Sequence, residues 1–186
     1  MGRITSGLRA FFYKAKFGKI HTPSLFAKPI KLYGVKHAYL GKKFRILNGA
    51  RFEIHDQGQL IVGDNVSIGQ NFHVVAGGSD ELTIGNNVTI SGNVFISNMN
   101  HSYEKIDTHC YDQEHISKET KIGDYCFIGY GAVILPGTIL GKNVIVGANA
   151  VVHGKFDDYT VIAGNPAKVI KYYDLEKKEW VKNQTK

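Results

Sequence analysis

Of the eight histidines in this 186-residue chain, His101 has the setting most suited to chemistry. It opens a polar stretch, residues 97–121, rich in His, Asp, Glu and Lys and without Gly or Pro. A loop this long inside a compact repeat is either disordered or functional. An imidazole is the side chain whose ordinary titration suits it to take a proton near neutral pH. Asn98, Asn100 and Glu104 flank His101 and are candidate substrate contacts. His73 stands at an outward position of the repeat and is a candidate for the same cleft. His109 and Cys110 are neighbours in sequence, but adjacent side chains rarely align for nucleophilic catalysis. Cys126 falls at an inward, small position and reads as a buried structural thiol. The two cysteines form neither a disulfide framework nor a C-x-x-C site, and no metal is expected. His73, His101 and His109 are the three that a metal-dependent reading would draft as ligands.

These residues must be positioned by a six-residue repeat. Val62, Ile68 and Val74 are six apart, as are Ile84, Ile90 and Ile96. The longest run is Ile122, Ile128, Ile134, Leu140, Val146 and Val152. A helix repeats every 3.6 residues and a strand every two, so a period of six means one short strand and one corner. Three corners close a triangular coil whose aliphatic residues stack inside, and each coil must bury its face against the next. Corners need residues that tolerate left-handed backbone angles. Asn stands three residues after the aliphatic position at Asn65, Asn71, Asn87, Asn93, Asn143 and Asn149, which explains those asparagines without a ligand.

The hexads, the interrupting segment Ile96-Ser97-Asn98-Met99-Asn100-His101 and the ending Gly164-Asn165-Pro166-Ala167-Lys168 together resemble the hexapeptide-repeat acyltransferases. Within these, they are most similar to the maltose, galactoside and polysaccharide O-acetyltransferase group. The resemblance spans about residues 50–172 and implies an all-β fold, a left-handed parallel β-helix. It also implies a homotrimer, acetyl-CoA as donor and a saccharide hydroxyl as acceptor. By the same resemblance His101 is the general base, with a backbone N–H of Gly129 or Tyr130 binding the oxyanion. Gly129, Tyr130, Ala148, Lys168 and Lys171 match cofactor contacts of the family, with the lysines pairing with phosphates. Polysaccharide members often show Asp-His-Asn-His where this chain has Asn98-Met99-Asn100-His101, so the acid that would orient the base is absent; Glu104 and Asp107 are available on the loop. A sugar N-acyltransferase, and a metal-dependent hydratase of the carbonic anhydrase type on the same coil, are the alternatives.

Three regions follow. Residues 1–45 form an amphipathic helix over 3–16, with Ile4, Leu8, Phe11, Phe12 and Ala15 on one face, and an irregular cap. Residues 46–172 form the β-helix, with the loop 97–121, and residues 173–186 a tail with a short helix carrying Trp180. The basic helix either caps the open coil or packs in a trimer, or it lies on a membrane, where peripheral contact with a lipid-linked glycan would be in reach. The net charge of +7 suits an anionic partner, but no basic-aromatic motif points to nucleic acid. No run of residues is long and apolar enough to span a bilayer, and the N-terminus lacks the apolar core of a signal peptide. A cytoplasmic protein is expected.

Overall fold

A computed structural model describes residues 3–183. Apart from one helix, Arg3–Tyr13, and two short 3₁₀ turns, the described chain is short strands and corners. The strands stack coil on coil into three parallel sheets, the left-handed parallel β-helix that the family resemblance implies. Each turn visits a first, a second and a third face in order. The third face, which carries the site, consists of Lys31–Tyr33, Arg51–Ile54, His73–Ala76, Phe95–Ser97, Val133–Ile134 and Val151–Val152. The loop beginning at Asn98 leaves from the corner between the third and first faces.

The corners follow the chemistry expected of them. All six repeat asparagines, from Asn65 to Asn149, have φ of 56–58°. They also stack: Asn65 Nδ2 donates to Asn87 Oδ1 at 2.9 Å, and Asn71 Nδ2 to Asn93 Oδ1 at 3.0 Å. Aspartates staple the neighbouring corner, where Asp64 Oδ1 accepts the Lys42 N–H at 2.7 Å and Asp158 Oδ1 the Lys142 N–H at 2.7 Å.

The β-helix begins earlier than residue 46. Lys19–Ile20, Leu25–Phe26 and Lys31–Tyr33 already form a full coil, in parallel register with Tyr39–Leu40, Arg45–Ile46 and Arg51–Glu53. The reason lies in the coil lengths. Along the first face the stacked column is Ile20, Leu40, Val62, Ile84, Ile122, Leu140 and Phe156. Its steps are 20, 22, 22, 38, 18 and 16 residues. Only the 18-residue coil is three plain hexads; the longer coils add residues between the third and first faces, and this slips the phase. The wide coils are filled by Phe26, Phe44, Phe52 and Phe72, each at most 1% exposed, with ring centroids about 6 Å apart. The narrow ones are filled by Ala132, Val144, Ala150 and Val152.

Both ends depart from expectation. The C-terminal segment is not a helix. Ala167–Asp174 folds back antiparallel on Thr160–Gly164, and Glu179–Lys182 pairs with Lys171–Asp174 around a turn. Val169, Lys171 and Tyr173 alternate with more exposed neighbours, a strand period that places Trp180 against Tyr173 at 5.3 Å. At the other end the helix stops at Tyr13, short of residue 16. It seats Ala10 and Tyr13 on the first coil, with Tyr13 and the following Phe17 packed on Phe26 at 5.2 and 5.5 Å. The face bearing Ile4, Leu8, Phe11 and Phe12 points outward.

The corner geometry sets a test. Asn87→Gly keeps the positive φ and loses only the ladder hydrogen bond, about 1 kcal/mol, whereas Asn87→Val also forces a β-branched residue to positive φ and should cost about 1–2 kcal/mol more. Urea midpoints of the two variants measure the difference.

Candidate active site

The loop leaves the coil directly after Phe95–Ser97. Met99–His101 pairs antiparallel with His115–Ser117 as a short ribbon, placing His101 opposite His115. The tip is closed by Gln113, which is 8% exposed; its Nε2 donates to the Lys105 and Thr108 carbonyls at 3.1 Å each.

Asn98 roots the ribbon. It is fully buried, its Oδ1 accepts the Gly77 N–H at 2.9 Å, and its Nδ2 donates to the Asp80 carbonyl at 2.7 Å. With its amide so engaged, Asn98 cannot meet a substrate; it ties the loop to the coil below.

His101 is half-buried. Its ring meets His115 edge-on at 4.4 Å and lies 6.1 Å from Tyr111. Its Nδ1 is buried and makes no hydrogen bond among the described residues. Neither Glu104 nor Asp107 bonds to it, so the acid anticipated as its orienter is absent among the described contacts. The ring neighbours of His101 are His115 and Tyr111, both exposed. With Asn100, His101 forms a wall between two clefts. One, about 280 Å³, is also lined by Tyr103, Glu104, Lys118, Leu135, Pro136 and His153. The other, about 330 Å³, is also lined by His55, Phe95, Met99, Tyr111 and His115. His115 is the cleft residue that sequence reasoning missed; only the ribbon register, invisible in the hexads, brings it to His101.

His73 lies outside both clefts. It is bonded to Glu53 at 3.1 Å and packs on Phe95 at 5.1 Å. Glu53 also receives the Lys31 ammonium at 2.7 Å, and this hydrogen bond holds its carboxyl below the usual range. The stabilisation is present above the ordinary glutamate pKa and fades as pH falls through the lowered value; with Lys31 half in solvent it amounts to less than about 1 kcal/mol. His109 turns its Nδ1 to the Tyr111 N–H at 3.1 Å. The three histidines drafted as metal ligands therefore face three different partners, and no group of three His, Cys, Asp or Glu side chains converges among the described residues.

Of the residues matched to the cofactor, Gly129, Tyr130 and Ala148 form a column at the corner between the second and third faces. Gly129 and Tyr130 lie one coil below Ala148, since the Gly129 N–H donates to the Val146 carbonyl at 2.8 Å and the Asn149 N–H to the Tyr130 carbonyl. The first of these bonds removes Gly129 as an oxyanion donor. A Cβ on Gly129 would also come within 2.6 Å of the Ala148 nitrogen, so coil stacking alone requires glycine there. Tyr130 is 48% exposed, with its hydroxyl bonded to Asn93 Nδ2. Lys168 is exposed beside Ala163 on the terminal hairpin, and Lys171 is half-buried opposite Val161. Within one chain this column and the His101 clefts stand on opposite edges of the third face. A larger groove of about 550 Å³ follows the remaining corner past Gly85, Gly123 and Gly141, away from both, and its Asp124 and Asp158 are engaged with backbone N–H groups.

Residues 119–154 match the family model described as "Bacterial transferase hexapeptide (six repeats)". The chain is 36% identical over 149 residues to WbbJ of Escherichia coli K12, provisionally named as a lipopolysaccharide biosynthesis O-acetyl transferase; the match covers 76% of this chain and 75% of WbbJ. The chain belongs to the hexapeptide-repeat transferase family. It is an acyltransferase of the acetyltransferase class, as its relatives are named. It is also 32% identical over 117 residues to galactoside O-acetyltransferase of E. coli K12, covering 59% of this chain and 55% of that enzyme. Among solved structures, the N-acyltransferase AntD from Bacillus cereus, in complex with dTDP and 3-hydroxybutyryl-CoA, shares the fold. Its TM-score is 0.75 at 17% identity, covering 90% of this chain and 89% of AntD.

One variant and one reagent probe this site. Asn98→Ala should lower stability by about 2–3 kcal/mol, because it leaves Gly77 and Asp80 backbone groups buried and unpaired. A residue that only met substrate would leave the urea midpoint unmoved. A thiol reagent at pH 8 should modify one cysteine in the native protein and two after unfolding. Cys110 is exposed, whereas burial pushes the Cys126 thiol up to about 11.

Proposed function

We propose that this acyltransferase moves an acetyl group from acetyl-CoA to a hydroxyl of a saccharide, with His101 as general base. The observation that carries this reading is the position of His101 in a wall shared by two clefts. A hydroxyl approaching from one side and a thioester from the other would meet at its ring. The imidazole takes the hydroxyl proton as the oxygen attacks the thioester carbonyl, and the protonated ring then faces the charge that develops. The intermediate collapses, the donor sulfur takes the proton back from the imidazolium and leaves as the thiol, and no covalent enzyme intermediate is needed. The larger cleft, walled by Phe95, Tyr111 and two histidines besides His101, suits the acceptor: aromatic faces stack on a sugar's C–H surface while imidazoles bond its hydroxyls.

The donor is assigned to the column of Tyr130 and Ala148, with Lys168 and Lys171, where two ammonium groups offer point charges to phosphates. One chain alone keeps this column and the His101 clefts on opposite edges of a face. A homotrimer in which the column of one chain meets the clefts of the next joins them, and this supports the trimeric reading. The name of WbbJ, which refers to lipopolysaccharide biosynthesis, supports polysaccharide or surface-glycan synthesis as the pathway.

In steady-state assays with acetyl-CoA and a saccharide panel that includes amino sugars, His101→Ala should lower kcat by about 10²–10⁴-fold with little change in KM for acetyl-CoA. In calorimetric titration Lys168→Ala should weaken acetyl-CoA binding about tenfold. Full activity of His101→Ala overturns the base assignment, and transfer only to amino sugars overturns O-acetylation.

A further inference from the structure

Among the described residues, the outward face of the N-terminal helix has no partner. The inner face is complete: Ala10 is buried, Tyr13 and Phe17 pack on Phe26, and Arg9 Nη1 donates to the Phe26 carbonyl at 3.2 Å. On the opposite side Ile4, Leu8, Phe11 and Phe12 are 79, 56, 64 and 69% exposed. Their spacing of i, i+4, i+7 and i+8 makes one continuous apolar stripe. Four large apolar side chains, two of them phenylalanines, this open to water mark a surface that meets something.

The charge distribution identifies what. Every one of the 16 acidic residues lies at or beyond Glu53, whereas 12 of the 23 Lys and Arg precede it. The first 52 residues therefore carry +12 and the remainder −5. Those first residues are the helix and the opening coils, so the positive charge is gathered at one end of the solenoid. Lys14, Lys16, Lys19 and Lys28 are exposed there. Lys14 stands 6.0 Å over the Phe11 ring, at the margin of the stripe. A second copy docked face to face would set two strongly positive ends against each other. An apolar stripe rimmed by cations and free of acids fits an interface that is hydrocarbon within and anionic at its surface.

We infer that this end of the molecule docks on an anionic lipid bilayer, with Ile4, Leu8, Phe11 and Phe12 entering the headgroup–acyl boundary and the surrounding lysines meeting lipid phosphates. The helix lies in the membrane plane and the solenoid stands on it. Three coil steps of about 4.8 Å separate the first coil from Phe95–Ser97, so the clefts around His101 ride about 14 Å above the docked end. This inference rests on the helix and the charge, not on the proposed chemistry.

The test is co-sedimentation of the full chain with vesicles of phosphatidylcholine containing about one third phosphatidylglycerol, and with pure phosphatidylcholine. The protein should pellet with the anionic vesicles, not with the neutral ones, and should be released as salt rises. The double variant Leu8→Ser, Phe12→Ser should bind about tenfold more weakly, as should Lys14→Glu, Lys16→Glu, with thermal midpoints unchanged because these side chains are exposed. Absence of pelleting, or equal pelleting by the serine variant, overturns the inference. A concentration-dependent rise in mass by light scattering, abolished in the serine variant and unaccompanied by vesicle binding, also overturns it and gives the face to a second copy.

Discussion

The whole molecule depends on one constraint: each coil must lie in parallel register on the one beneath it, because no single coil can bury its own apolar side. Stacking at strand spacing leaves the backbone hydrogen bonds of every strand to be met by its neighbours above and below. It also forces corners that are tight and identical in direction. The asparagine ladders satisfy both demands. An Asn at positive φ turns the chain, and its side-chain amide bonds to the same amide one coil away. The aspartates beside them cap backbone N–H groups that a sharp corner would otherwise leave open. Because the corners are fixed in this way, a segment expelled from one corner leaves from a rigid base. The ribbon carrying His101 is such a segment, and fully buried Asn98 is the rivet at its root.

Much of this was legible in the sequence, for a physical reason. A period of six admits few structures, and the aliphatic run from Ile122 to Val152 keeps strict phase. The asparagine corners follow from which side chains accept left-handed angles. The first coils escaped notice because an extra two or four residues at one corner shift the phase while preserving the stack. Asn65 and Asn87, or Asn71 and Asn93, are 22 apart, and that longer period was the available signal. The terminal hairpin was misread as a helix because its charged turn, Leu175–Lys178, lies between two alternating segments each short enough to pass for helix.

The site was legible in part. Singling out His101 at the mouth of a polar insertion uses only loop length and residue type, and the structure puts its side chain between two clefts. Long-range partners were out of reach. His115 meets His101 only through an antiparallel register that no hexad encodes. Asn98 and His73 look like ligands by type, yet one is consumed by the backbone of the neighbouring coil and the other by Glu53. A polar side chain advertises chemistry in a sequence equally whether its partner is a substrate or the protein's own frame.

The shrinking coil length has a consequence of its own. A prism that narrows from 22 residues per turn to 18 and then 16 has no two neighbouring levels that are interchangeable along its upper half. Such a chain cannot lengthen or shorten by copying or deleting a level from the tapering part, as a uniform array can, because the graft would meet a rim of the wrong circumference. Only the two equal levels in the wide half would tolerate duplication. Any such change would raise the ribbon further from the helix-bearing end, turning coil number into a ruler for how far the chemistry stands from whatever holds that end.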